Sequence, residues 1–286
     1  MTRGRLPDQA GYVERDGVRS YWERYGDGEP AVLFLPTWAI VHSRCWKAQL
    51  PYFGRHGSAV TFDPRGNGRS DRPAEPSAYA ERELAADALA VLDAAGIGRA
   101  VVVGHSRGAQ RALFLAAEHP ERVAGLCFVA PAMPLVSLPP GRAAAMAAFE
   151  ERPVVPEGWR KYNAHHWLTD YRDFVEFFFA EMFPEPHSTK QVEDGVEWAL
   201  ETDPATLVAT QRGGWISRRE AEALCAAVRC PALVVHGAAD HVIDPASGRA
   251  LAAALGARLE IFEGSGHSPH TRVPARFNLL LREFVG

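Results

Sequence analysis

At 286 residues, 47% of them hydrophobic, the chain can bury a large core, as one sizeable domain or as a domain carrying an insertion. Its charged fraction of 23% and formal net charge of -4, with basic residues scattered, exclude both the basic footprint of a nucleic-acid binder and the acidity of a disordered chain. Cys45, Cys127, Cys225 and Cys230 show no C-x-x-C spacing, no apolar run approaches about 18 residues, and no apolar stretch follows the N-terminal MTRGRLPDQAGYV. These features argue against a zinc or redox site, a membrane span and a signal peptide, and a cytoplasmic protein with reduced thiols is expected.

In chain order, Gly11 to Arg15 and Val18 to Arg24 predict an antiparallel hairpin turning at Asp16-Gly17. Short apolar runs follow at Ala31–Leu35, Ser58–Phe62, Ala100–Val103, Ala124–Val129, Ala232–Val235 and Arg258–Phe262, each ending in turn residues. Runs this short and this rich in Val suit strands buried on both faces of a parallel sheet. Helical patterns lie between them. Glu81–Ala95 puts Leu84, Ala88, Val91 and Leu92 on one stripe and stops at Gly96, and Gly108–His119 stops at Pro120. Ser247–Leu255 and Pro274–Val285 follow the last two strands. The alternation predicts an α/β fold, with a mostly parallel central sheet and helices on both faces.

The rhythm breaks between residues 132 and 227. This stretch has no clear strand and is dense in aromatic residues, among them Trp159, Tyr162, Trp167, Phe174, Phe178 and Trp215. Helices are expected at Pro140–Arg152, Glu157–Trp167, Tyr171–Met182, Lys190–Glu201 and Pro204–Gln211. The stretch reads as a helical insertion covering one end of the sheet. Most of its rings pack between helices, and some face a pocket for a small molecule.

Gly104-His105-Ser106-Arg107-Gly108 is a G-x-S-x-G motif, weak alone but placed between a strand, AVVV, and a helix, GAQRALFLAAEH. A strand that turns at once into a helix strains the central residue and crowds its neighbours, which is why glycine flanks it. The hydroxyl of Ser106 then stands clear at the carboxyl end of the sheet, where the helix N-terminus favours a developing anion.

With this motif the chain resembles the α/β-hydrolase superfamily from about Gly11 to its end. VVVGHSRG resembles the nucleophile elbow, and Phe62-Asp63-Pro64-Arg65-Gly66-Asn67-Gly68-Arg69-Ser70 resembles the D-x-R-G-x-G-x-S turn. VVHGAADHVIDPASG resembles the acid segment, and IFEGSGHSPHTRVPARFNLLLREFV the histidine segment. The resemblance implies an α/β-hydrolase core at 1–131 and 228–286 with a helical cap at 132–227, and a Ser, Asp, His order along the chain. Ser106 is then the nucleophile. His267, on the Gly264-Ser265-Gly266 loop, is its base, with His270 the rival and His42, His105 and His241 weaker ones; His165 and His166 read as structural. Asp240 matches the family position of the acid, with Asp244 as the alternative.

Acyl transfer needs donors where negative charge develops. The backbone N–H of Arg107 is one, and the resemblance implies the N–H of Trp38 as the other, with Thr37 as the alternative. Relatives carry His-Gly where this chain has Pro36-Thr37; because backbone donors do not depend on side-chain identity, the reading adopted is a local variant. Gly66-Asn67-Gly68 lacks the third glycine of a dinucleotide fingerprint, so no nucleotide cofactor is expected, nor a metal. Arg107 is left with two candidate partners, a substrate carboxylate or Asp63.

A serine at the elbow argues against the epoxide hydrolase and haloalkane dehalogenase branches, which use aspartate. The function expected is hydrolysis of a carboxylic ester, or a related acyl bond, of a bulky or apolar small molecule. A carbon–carbon bond hydrolase, a cofactor-free oxygenase or lyase, and a non-catalytic ligand-binding member stay open, as does the oligomeric state.

Overall fold

The computed structural model describes residues 5–152 and 155–286; the first four residues of the charged N-terminus and residues 153–154 of the insertion lie outside the described residues. The strands are β1 (Gln9–Arg15), β2 (Val18–Tyr25), β3 (Ala31–Phe34), β4 (Ser58–Phe62), β5 (Ala100–His105), β6 (Val123–Val129), β7 (Ala232–Gly237) and β8 (Arg258–Phe262). They form one sheet in the order β1-β2-β4-β3-β5-β6-β7-β8. β4 through β8 run parallel, as the apolar runs predict, while the β1–β2 hairpin adds itself antiparallel at one edge. Its turn places Asp16 and Gly17 at φ 53° and 76°, the pair of positive values a two-residue hairpin of right-handed twist requires.

Alternation along the strands divides two cores. Ala31 and Leu33 of β3 face the side packed by α2 (Glu81–Ala94), α3 (Gly108–Glu118) and α10 (Pro245–Leu255), whereas Val32 and Phe34 face α1 (Leu50–His56) and α12 (Pro274–Val285). The insertion carries α4 (Pro140–Ala147), α5 (Ala164–Thr169), α6 (Tyr171–Met182), α7 (Thr189–Ala199) and α8 (Pro204–Arg212). Glu157–Trp167, expected as one helix, is a 3-10 turn over Gly158–Lys161 followed by α5, with Asn163 capping α5 through the backbone N–H groups of His165 and His166. The cap residue takes an extended backbone, which breaks the helical run.

α9 (Arg218–Ala227) falls inside the stretch read as insertion, yet Ala221, Leu224 and Cys225 bury themselves in the core beside α3. No helix among the described residues is long and apolar enough to cross a membrane. Just before α12, α11 (Pro269–Arg272) is a single turn that carries His270.

Candidate active site

β5 ends at His105 and α3 begins at Gly108, leaving Ser106 at φ 53° in the left-handed region. A non-glycine residue held there costs about 1–3 kcal/mol, so the surroundings must enforce it. They do so through the backbone: Ser106 N–H donates to the Val129 carbonyl at 2.9 Å, and the Ser106 carbonyl accepts from Ala109 and Ala132 at 3.1 Å each. The flanking glycines have no alternative. A Cβ on Gly104 would lie 2.6 Å from the Gly108 carbonyl oxygen, and one on Gly108 would lie 2.9 Å from that of Pro36.

Asp240 and His267 come from neighbouring strand ends. Beyond β7, the Asp240 carboxylate accepts from the backbone N–H groups of Val242 at 2.8 Å and Ile243 at 2.9 Å through Oδ1. Its Oδ2 faces His267 Nδ1 at 2.8 Å and His236 Nε2 at 3.0 Å. The two loops are stitched together by Ala238 N–H to the Phe262 carbonyl and Ala239 N–H to the Ser265 carbonyl, while Gly237 lies so close to the Ser265 and Gly266 carbonyls that no Cβ would fit. Burial pushes the Asp240 carboxyl up, but the nearby charge of His267 and the hydrogen bonds from His236 and His267 outweigh it, and the group is held well below the usual carboxylate range. With Asp240 ionised, His267 donates from Nδ1 and its Nε2 keeps a free lone pair, the tautomer a proton acceptor needs.

The rivals are occupied elsewhere. Asp244 caps α10 by accepting from Ala246 N–H at 2.8 Å. His270 is fully buried, stacks on Trp46 with ring centroids 4.4 Å apart, and is pushed down to about 3 by burial and then by the charge of His267. His105 donates from Nε2 to the His267 carbonyl at 3.0 Å and so supports the loop from below. His42 sits by Asp63 and Glu201, and His241 is exposed beside Glu181.

The loop after β3 carries Thr37 and Trp38. Neither the Trp38 nor the Arg107 backbone N–H has a hydrogen-bond acceptor among the described residues, and both residues line the same cavity as Ser106 and His267. The loop is fixed from two sides. Trp38 donates through Nε1 to Thr210 Oγ1 at 2.8 Å and packs its ring on Tyr162, Trp167 and Phe178 of the insertion, and Asn67 donates from its amide to the carbonyls of Ala39 and Trp198. Gly68, at φ 59°, packs so tightly on Asp63 that no Cβ would fit, which explains the glycine of that turn.

Arg107 does not pair with Asp63, whose carboxylate instead accepts from Ser43 and from Arg69 N–H. Its partner is Glu81 at the start of α2, which also binds Arg111 at 2.8 Å. Two contributors escaped the sequence reading, His236 and Arg142. His236 stands four residues before Asp240 at the end of β7, a spacing that carries no signal outside a helix. Arg142 lies on α4 and reaches the cavity, which it lines with Tyr162, Phe178, Met182 and Trp215. The cavity is narrow, with about 430 Å³ of atom-free space including its mouth.

Sheet order, a strained serine between β5 and α3, and an aspartate and a histidine from the last two strand ends together describe one architecture. A family model described as the alpha/beta hydrolase fold matches residues 30–271, and the chain belongs to that family. It is 27% identical over 278 residues to the 2-hydroxymuconate semialdehyde hydrolase of Pseudomonas sp. strain CF600, spanning 94% of this chain and 91% of that protein. It is 39% identical over 84 residues to a putative carbamate hydrolase, RutD, of Caulobacter segnis; that match spans 29% of this chain and about a third (32%) of the relative's length. Among solved structures, Est816, an N-acyl homoserine lactone degrading enzyme, superposes with a TM-score of 0.78 at 27% identity, over 96% of this chain and all of that one. An esterase from Exiguobacterium antarcticum superposes at 0.82 with 20% identity, over 97% of this chain and 99% of that one, a likeness of fold alone.

Proposed function

We propose that the protein hydrolyses a carboxylic ester, or a related acyl bond, of a small molecule with an apolar part, using Ser106 as nucleophile, His267 as base and Asp240 as the orienting acid. The observation that carries this reading is the Asp240–His267 bond at 2.8 Å, on a histidine that lines the same narrow cavity as the strained Ser106. Ser106 Oγ attacks the carbonyl carbon as its proton passes to His267 Nε2, and the backbone N–H groups of Arg107 and Trp38 receive the oxyanion. His267 then protonates the leaving oxygen, and water repeats the cycle on the acyl-enzyme, returning the acid and the free serine. Asp240 stays ionised throughout and stabilises the imidazolium.

The test is a panel of 4-nitrophenyl esters and acyl thioesters of varied chain length, with wild type and Ser106→Ala. Wild type turns over at least one of them, a fluorophosphonate labels Ser106, and Ser106→Ala loses about 10⁴-fold or more in kcat while staying folded. Retention of most activity by Ser106→Ala would transfer the chemistry to proton abstraction by His267 alone.

One observation favours a second reading, cleavage of a carbon–carbon bond beside a carbonyl: the relative named 2-hydroxymuconate semialdehyde hydrolase, similar over nearly the whole chain. Under that reading the esters are poor substrates and a compound with a cleavable carbon–carbon bond beside a carbonyl is a good one, again dependent on Ser106.

A further inference from the structure

Among the described residues four arginines are buried, and three of them have carboxylates. Arg65 pairs with Asp87, and Arg107 and Arg111 share Glu81. Arg142 is the exception. It is 4% exposed, and among the described residues its guanidinium has no carboxylate within ion-pair distance. Its Nη1 donates to the Val242 carbonyl at 2.6 Å, and the group lies over the rings of Trp159 at 4.5 Å and Tyr162 at 5.6 Å. Aromatic faces offset part of the cost of removing a cation from water, but a guanidinium keeps its charge, and buried charges normally find an opposite one.

The same cavity has a second excess of positive charge. Glu81 supplies one negative charge to two guanidinium groups, and Arg107 Nη1, buried at the cavity wall, has no hydrogen-bond acceptor. Asp240, the acid whose charge reaches Arg142 through space, already serves two histidines and two backbone N–H groups. The lining thus combines apolar walls from Phe178, Met182 and Trp215 with cationic groups from Arg142 and Arg107. An occupant that fits carries hydrocarbon and an anion of planar, two-oxygen shape, which matches the fork of a guanidinium.

Resting on the acyl-transfer reading above, we propose that the substrate carries a carboxylate in addition to its scissile bond, and that Arg142 of the insertion receives that carboxylate. Arg142 is then a specificity-determining residue supplied by the helices over the sheet, whereas Ser106, His267 and Asp240 come from the sheet. The rival account makes Arg142 a strut between α4 and the Asp240 loop through Val242.

Two ester pairs separate these accounts: mono-4-nitrophenyl glutarate against 4-nitrophenyl pentanoate, with the charge on the acyl side, and 4-acetoxybenzoate against phenyl acetate, with the charge on the leaving-group side. For at least one pair, wild type prefers the charged ester in kcat/KM. Arg142→Met lowers kcat/KM for that ester about 100-fold, mostly through KM, and changes the neutral ester by no more than about threefold; Arg142→Lys restores part of the loss. No preference in either pair, or an equal loss on charged and neutral esters in Arg142→Met, overturns the proposal in favour of the strut.

Binding gives an arm independent of turnover. Glutarate titrated into Ser106→Ala binds, and the binding weakens at least tenfold in Ser106→Ala/Arg142→Met. Equal glutarate binding by the two proteins, or none, overturns the carboxylate site even where esters are cleaved. If no ester is cleaved while glutarate still binds through Arg142, the carboxylate site stands and the acyl-transfer reading falls.

Discussion

The two halves of the cavity are built by different means. The strand-end loops hold their polar groups by backbone bonds: Ser106 through Val129, Asp240 through Val242 and Ile243, and the His267 loop through the Ser265 carbonyl to Ala239 N–H. The insertion holds its groups by aromatic packing, with Trp167 and Phe174 at 4.6 Å, Phe149 and Trp167 at 4.9 Å, and Arg142 laid over two rings. Main-chain bonds fix an atom's position tightly and tolerate little change, whereas ring packing tolerates substitution and can be reshaped. One half is thereby suited to chemistry and the other to choice of substrate.

The largest test of this division is Asp240→Asn. An amide there keeps the loop's shape but no longer favours the Nδ1–H tautomer, and kcat on a cleaved 4-nitrophenyl ester falls about 10⁴-fold with the far-UV spectrum unchanged. A fall of less than about tenfold would remove Asp240 from the chemistry. Trp38→Ala attacks the seam between the halves, because that ring lies on Tyr162, Trp167 and Phe178 and bonds Thr210. It costs about 3–5 kcal/mol in urea unfolding, the range for a buried tryptophan, and activity falls with it as the β3 loop loosens. Retained stability would mean that the loop does not lean on the insertion.

His270 sharpens the comparison from below the site. Its pKa is pushed down by burial to about 3 in the folded protein, against about 6.5 when unfolded. The unfolded chain therefore binds the extra proton first as pH falls through about 6.5, and the stability contributed by the neutral ring is lost progressively between there and about 3. His270→Leu removes up to one proton from that linkage, flattening the acid limb of stability against pH by up to about 1.4 kcal/mol per pH unit. An unchanged slope would mean that His270 opens to water at low pH. The smallest effect is expected for Tyr162→Phe, which removes the hydroxyl donated to Gln211 Oε1 at 2.7 Å. It costs about 1 kcal/mol by thermal unfolding, with kcat on a neutral ester within a few-fold of wild type.

Much of this was legible in the residue order, because it rests on local physics. The strands between Ala31 and Phe262 read correctly, since a Val-rich run of five residues bounded by turn signals has little else to become. Gly104 and Gly108 mark the bend at Ser106 because a close approach of main chain excludes every other residue. Glu81 reads as an ordinary acid in the first turn of α2, and only the packing of α3 against α2 brings Arg107 and Arg111 onto it. Arg142 reads as one more charge on a cap helix. α9 has the same apolar stripe whether it covers the sheet ends or the sheet face, so periodicity cannot choose between them.

The sequence by itself determined the α/β alternation and the site of the sharp turn at Ser106, each being a matter of neighbours a few residues apart, and its resemblance to the α/β hydrolases pointed to the loops bearing Asp240 and His267. Only the tertiary structure decided that His236 and His267 share one carboxylate oxygen, that Glu81 serves two arginines, and that Arg142 enters the cavity with no acid paired to it among the described residues. Apart from the His236–Asp240 contact, those outcomes join residues 26 to 100 positions apart. The free energy of burying a charge depends on what surrounds it in space, and chain order does not record that.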